Sequence, residues 1–120
     1  MTTNRGAAFA TVVRALLVLA DTPRGMATST EIADQLDVHA VEVRRLLGVL
    51  RAEGIVESRR GPRGGWAIAS DPATIKLGRV YRLLAGEADV VTPAALDEAL
   101  QRADAAYLAE LDRLTLADLE

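Results

Sequence analysis

The sequence contains no cysteine. This excludes a disulfide framework, a thiolate-held metal or iron–sulfur site, and a cysteine nucleophile. It has a single histidine, His39, which excludes a metal site built from several imidazoles. No apolar run approaches the length of a membrane span; near the start, the longest stretch without a polar side chain is Ala15 to Ala20. Met1 to Arg5 lead into a helical pattern broken by Arg14, which is not a signal peptide. The expectation is a cytoplasmic protein with no membrane partner. A Walker loop and a dinucleotide-binding glycine pattern are also missing, and no base is evident beside Ser29, Ser58 or Ser70. Without such a constellation an enzyme is not expected, and no metal or other cofactor is called for. There is no internal repeat and no low-complexity segment.

What is present suits one domain with a modest core: 120 residues, half of them hydrophobic and 26% charged. The net charge of −3 by itself argues against nucleic acid. Its distribution argues otherwise. Residues 1–82 hold 12 basic and 8 acidic side chains, a balance of +4, whereas residues 83–120 hold 2 and 9, a balance of −7. A basic body with an acidic tail points to a polyanion-facing unit and a separate element for another task. An ordinary solvated helix accounts for the tail more simply, so the motifs must decide.

Phe9, Val12, Val13, Leu16 and Ala20 recur at helical spacing and predict a helix over residues 6–21. Leu17, Val18 and Leu19 make its second half apolar nearly all round. A helix of that kind is covered on more than one side, and in so small a domain a partner chain can supply the second cover. Asp21 to Gly25 is turn chemistry. Thr28-Ser-Thr-Glu31 has the spacing of a capping box and opens a short helix to about Leu36, with Ile32, Ala33 and Leu36 inward. Asp37 ends it, because Asp tolerates the left-handed conformation. A third helix is predicted from Ala40 to Glu53. His39 is its N-cap, Gly54 its C-terminal cap, and Val43, Leu46, Leu47 and Leu50 its apolar stripe. Arg44, Arg45 and Arg51 lie off that stripe. Two short strands, Ile55 to Arg59 and Trp66 to Ala69, flank a Gly/Pro-rich loop and read as a hairpin. Asp71-Pro72 breaks the chain before a fourth helix, Leu77 to Ala85. After the connector Gly86 to Val91, Thr92-Pro93 starts a last helix to about Arg113, with Leu96, Leu100, Ala103, Tyr107, Leu111 and Leu114 along one side.

The second and third helices are joined by a very short turn. Small Ala33 allows them to cross closely and Val38 plugs the space between them. This is helix-turn-helix geometry, and the hairpin makes it a winged helix. At the wing, Arg59, Arg60 and Arg63 surround Gly61, Pro62, Gly64 and Gly65. Glycines let a loop approach a sugar–phosphate backbone, and arginines there neutralise phosphates or enter a narrow minor groove. Alone, such a loop is more simply a solvated hairpin; directly behind a helix-turn-helix it points to DNA. The third helix offers its first turn to the major groove, which makes His39, Ala40, Val41, Glu42, Arg44 and Arg45 the candidate base-facing residues. Arg45 suits guanine, and Glu42 suits a cytosine amino group. Glu42 equally suits a cap at the His39 amide, and Arg44 suits a neighbouring acid or a phosphate. Thr28 and Ser29 stand where a phosphate can meet a helix N-terminus, although capping alone accounts for Thr28. Trp66 is expected to pack at the base of the wing.

From Arg5 onward the chain resembles the Rrf-type family of bacterial transcription regulators, the IscR-, NsrR- and CymR-like group. Three segments carry the resemblance: Thr28-Ser-Thr-Glu-Ile-Ala33, Leu46-Leu-Gly-Val-Leu-Arg-Ala-Glu-Gly-Ile-Val56 and Arg60-Gly-Pro-Arg-Gly-Gly-Trp-Ala-Ile-Ala69. Leu114-Thr-Leu-Ala-Asp-Leu119 is similar to the family's C-terminal end. The resemblance implies a homodimer joined by a long C-terminal helix, two winged helices on a palindromic operator, and usually repression. The first helix would lie near the partner's long helix, and Leu96, Leu100, Ala103, Tyr107, Leu111 and Leu114 would form the dimer contact. The expected architecture is mainly α with a small β-hairpin. Residues 1–85 form a winged helix-turn-helix DNA-binding domain; residues 86–120 form a connector and dimerisation helix, all in one compact unit. Many members of the family carry three cysteines in that connector, where they hold an iron–sulfur cluster or act as redox thiols. Gly86-Glu-Ala-Asp-Val-Val91 has none, so cluster-based sensing is not implied here. Asp37 stands where glycine is common, Arg63 where the wing often has glycine, and Lys76 where a threonine cap is more usual. A small-molecule effector between the dimer helix and the winged helix is compatible with the sequence, and no residue identifies one.

Two functions remain in view: a sequence-specific DNA-binding regulator, and a winged helix whose basic face serves an acidic protein partner. Salt-dependent DNA binding with sequence preference separates them.

Overall fold

The computed structural model describes residues 4–85 and 94–120. Along the chain run α1 (Asn4–Asp21), α2 (Ser29–Leu36), α3 (Ala40–Ala52), the strands β1 (Val56–Arg59) and β2 (Gly65–Ile68), α4 (Leu77–Ala85) and α5 (Ala94–Leu111). Single 3-10 turns follow β2 at Pro72–Thr74 and α5 at Leu116–Leu119. The expected mainly helical winged helix with one hairpin is what the structure shows.

α2 has only 8 residues, too few to persist alone in water, and it is closed at both ends by its own neighbours. The Glu31 amide donates to Thr28 Oγ1 and the Thr28 amide donates to Glu31 Oε1, each at 3.1 Å. That box holds the Glu31 carboxyl below its ordinary range, through the Thr28 amide first and its hydroxyl second. At the other end Asp37 takes φ 56° and ψ 49°, and the Val38 amide reaches back to the Ala33 carbonyl at 3.1 Å. The chain thus turns into α3 within three residues, and Val38 packs on the core between the two helices.

α3 ends in a Schellman motif: Ile55 N–H donates to Leu50 O at 3.1 Å and Gly54 N–H to Arg51 O at 3.0 Å, with Gly54 at φ +74°. β1 and β2 pair antiparallel, with Val56 opposite Ile68 and Arg59 opposite Gly65. The strands lie one residue from the expected limits. Ile55 spends its amide on the end of α3, and Gly65 completes the ladder opposite Arg59. Ala27 exchanges both backbone hydrogen bonds with Trp66, at 2.8 and 3.0 Å, and so lays the approach to α2 along the hairpin's inner edge.

The core is filled by Val12, Leu16, Ile32, Leu46, Leu47, Leu50 and Ile55, with Val80, Leu84 and Leu116 from the C-terminal part. α1 lies among α2, α3 and α4, burying Phe9, Val12, Val13, Ala15, Leu16 and Leu19. Ala20, expected on that stripe, is exposed, and Ala15 takes the inner place instead. Leu17 and Val18 are half-buried, so the second half of α1 is only partly covered within one chain. Leu114, expected on the last helix, lies past its end: α5 stops at Leu111, and the Leu114 carbonyl accepts from Leu77 N–H at 3.1 Å. The Leu116 amide then bonds Ile75 O at 3.0 Å, and its side chain is fully buried. The tail therefore returns to the winged helix. The connector and Thr92-Pro93, the expected start of the last helix, lie outside the described residues.

Candidate nucleic-acid interface

The polar surface of α3 and the hairpin meet through Trp66. The Trp66 indole is buried, and its Nε1–H donates to Ser29 Oγ at 2.8 Å. Arg51, in the last turn of α3, lays its guanidinium 5.7 Å from the centre of the same ring and donates to Ser58 Oγ at 3.1 Å. One side chain on β2 thus ties together the start of α2, the end of α3 and β1. Gly65 makes this possible. Its φ is +146°, and a Cβ there would stand 2.7 Å from the Ala27 carbonyl oxygen. Any other residue would push the hairpin off the strand-like segment before α2.

From that frame α3 projects its first turn. His39 is the N-cap by backbone geometry, but its side chain makes no capping bond. Val41 is 68% exposed, whereas Ala40 is half-buried against the core. Glu42 does not cap His39. Both of its carboxylate oxygens are taken by Arg45, with Nη2 to Oε1 at 2.8 Å and Nε to Oε2 at 3.2 Å. The fork holds the Glu42 carboxyl below its ordinary range, and it fixes the Arg45 guanidinium on the outer face of the helix. Arg44 is exposed beside it.

At the wing, Arg60, Gly61, Pro62 and Arg63 are exposed, and Arg59 lies 3.4 Å from Glu57 on the same strand. Gly64 is buried. Its amide closes the turn on Gly61 O at 2.9 Å, and a Cβ there would collide with the Arg59 carbonyl. Ser29 is 8% exposed and committed to the indole, so it braces Trp66 and offers little surface to a phosphate. Thr28 is half-buried and engaged in its capping box.

This arrangement is that of a winged helix, and the match of residues 6–120 to the iron-dependent transcriptional regulators called Rrf2 decides the family. The chain belongs to the Rrf2 family. Its structure resembles CymR, the global cysteine regulator of B. subtilis, with a TM-score of 0.72 and 27% identity over 99% of this chain and 95% of that one. Oxidised CymR of Staphylococcus aureus matches at a TM-score of 0.69 and 27% identity over 97% and 92% of the two chains. At 24% identity, IscR of T. potens shares the fold, with a TM-score of 0.74 over 99% of this chain and 85% of that one. The Rrf2 family is one of transcriptional regulators.

The iron in the family's description meets an unsuitable donor set in this Rrf2 chain. It has no thiolate and one imidazole, and among the described residues no three His, Cys, Asp or Glu side chains converge on a metal position. Those residues do not fit a thiolate-held cluster. Among the described residues no helix is long and apolar enough to cross a membrane.

The C-terminal helix of this Rrf2 member carries a second set of expected residues. Tyr107 is 47% exposed, and its ring lies 5.0 Å from that of Tyr81, which in turn meets Phe9 edge-on at 5.5 Å. Ala103 is exposed, Leu111 packs partly on the core, and Leu114 is at the surface. The side chains of Leu96 and Leu100 lie outside the described residues. Sequence reasoning missed the groups that attach this helix. Tyr81 O–H donates to Asp104 at 3.0 Å, and Arg82 grips Asp112 with two bonds of 3.0 and 2.8 Å. Asp112 also fills the space beside Gly78 at the start of α4, where Lys76 offers no cap. It missed Ser29–Trp66 and Arg51–Trp66 as well. A tryptophan behind a Gly-rich wing is the only signal for those pairs, and it names no partner.

Proposed function

We propose that this Rrf2 protein is a homodimeric, sequence-specific DNA-binding regulator that represses transcription from a palindromic operator. One observation carries the reading: Trp66 ties the start of α2 and the last turn of α3, the helix whose exposed side bears Arg44 and Arg45, to an arginine-tipped wing in a single frame. Two DNA-facing elements held in fixed relation have already met the ordering cost of binding. In this reading His39, Val41, Glu42, Arg44 and Arg45 enter the major groove, with Ala40 setting how closely the helix approaches. Arg59, Arg60 and Arg63 follow the backbone or minor groove, with Gly61, Pro62 and Gly64 shaping the tip. The N-terminus of α2 at Thr28 faces a phosphate, and Ser29 supports it through Trp66. Leu96, Leu100, Ala103, Tyr107, Leu111 and Leu114 meet the partner chain.

The test is selection of sites from a random duplex pool at low salt, with sedimentation of the same protein. A recovered palindrome and a dimer are expected. The Tyr107→Glu variant should sediment as a monomer, because it places a charge in the proposed contact. Transcription from a promoter carrying the recovered site should fall when the protein is added. A folded protein that recovers no site would mean that this winged helix contacts protein instead.

A further inference from the structure

We propose that Val41 reads the 5-methyl group of a thymine, so that each operator half-site carries a T·A pair facing the first turn of α3. The inference rests on the DNA-binding reading above.

Val41 is the most exposed large hydrophobic side chain among the described residues, at 68%. Isolated apolar side chains at a surface are ordinary and by themselves mean nothing. The position of this one is informative. Most other apolar residues of α3 are spent on packing: Val43, Leu46, Leu47 and Leu50 are buried, Ala40 rests on the core and Val49 is half-buried, while exposed Ala52 lies at the far end of the helix. Val41 has no place in that stripe. Its neighbours on the exposed turn are His39, the Glu42–Arg45 fork and Arg44. An apolar knob therefore stands in a cationic, hydrogen-bonding surface whose charge suits DNA.

In the major groove the four bases present donors and acceptors, and thymine alone adds a methyl group. A side chain with no hydrogen-bonding atom distinguishes base pairs there only through that methyl. The β-branched side chain is also stiff about χ1, so little rotamer freedom remains to be lost on contact. Arg45 and Glu42, beside it, suit the polar edges of a G·C pair. Val41 supplies the complementary preference for T·A.

The experiment starts from the operator recovered by selection. Each thymine is replaced in turn by deoxyuridine, which removes the methyl and nothing else, and affinity is read by fluorescence anisotropy. One symmetric thymine in each half-site should weaken binding about fourfold when changed, the factor equivalent to roughly 0.8 kcal/mol for one buried methyl-sized group. Val41→Ser, which alters both protomers, should weaken binding to the thymine operator by about the square of that factor and should no longer distinguish thymine from uracil at that position. As an exposed residue it should leave the melting temperature unchanged. The inference is overturned if no thymine shows a methyl effect, or if the uracil penalty persists in Val41→Ser. Either result leaves the DNA-binding reading intact, since the operator exists. Failure to recover any operator overturns both.

Discussion

On the hairpin side of the core, the fastening groups have left water: the Trp66 indole is buried and donates to a buried Ser29 hydroxyl at 2.8 Å. On the C-terminal side the ion pair remains in it, with the Arg82 and Asp112 side chains 52% and 40% exposed, although Tyr81, which donates to Asp104, is itself buried. The two arrangements respond differently to change. A buried donor that loses its acceptor has no water to turn to, so its geometry is strongly enforced. An exposed ion pair exchanges its partner for water and salt at little cost, so it orients without locking. The wing is thus held firmly to the end of α3, as the proposed DNA readout requires. α5 is attached more loosely, with Leu116 as its buried anchor.

Substitutions can test this contrast. Trp66→Ala should cost about 3–5 kcal/mol in denaturant unfolding, the range for a buried tryptophan. A loss under about 1 kcal/mol would show that the hairpin is not fastened through the indole. Leu116→Ala should cost about 2–5 kcal/mol, because the tail has no other fully buried side chain among the described residues. If that variant melts like the parent, the tail is a passenger rather than an anchor.

Ser29→Ala should cost about 1–3 kcal/mol, since it strands the indole N–H in the core. Replacing Arg82 by Ala should have a smaller effect that vanishes in high salt. The pair also predicts a response to acid. The Arg82 guanidinium, chiefly through its hydrogen bonds, holds the Asp112 carboxyl below its ordinary value of 3.8. A depressed folded-state value contributes stability that is fully present above 3.8 and lost as pH falls through the lower, folded value. Melting temperatures measured down through that range should fall less steeply for Arg82→Ala than for the parent; equal slopes would remove the pair from the acid response.

Smallest in stability, and confined to function, is the double change Arg60→Ala with Arg63→Ala. It should leave unfolding within about 0.5 kcal/mol of the parent. The salt dependence of DNA binding should flatten by about 0.9 for each phosphate that the wing no longer neutralises. An unchanged slope would take the wing out of the interface.

Much of the frame was legible because it is local. The Thr28–Glu31 box, the left-handed Asp37 and the Schellman end at Gly54 each depend on residues within a few positions of one another, and all three stand where their spacing places them. The α3 stripe was legible for the same reason, since 3.6-residue periodicity puts its members on one face. Glu42 was ambiguous because an amide behind it and a base ahead both fit, and Arg45, one turn on, fits as well without being singled out by the spacing. Spacing cannot rank partners that all fit, and the side-chain geometry chose the arginine.

By itself the sequence determined the winged helix-turn-helix, since caps, stripes and turns are set by near neighbours. It also excluded a thiolate-held cluster, because ligands that are not encoded cannot be folded into place. Only the tertiary structure decided that Ser29 serves Trp66 rather than the surface. The same holds for Arg51 covering the indole, for Arg82 and Asp112 joining α4 to α5, and for the tail's return to bury Leu116. Ser29 and Trp66 lie 37 positions apart, and Arg82 and Asp112 lie 30 apart. No periodicity links such residues. Ser29 and Trp66 meet because a packed core leaves a buried polar group few places to find a partner, and Arg82 and Asp112 meet because packing lays α4 beside α5.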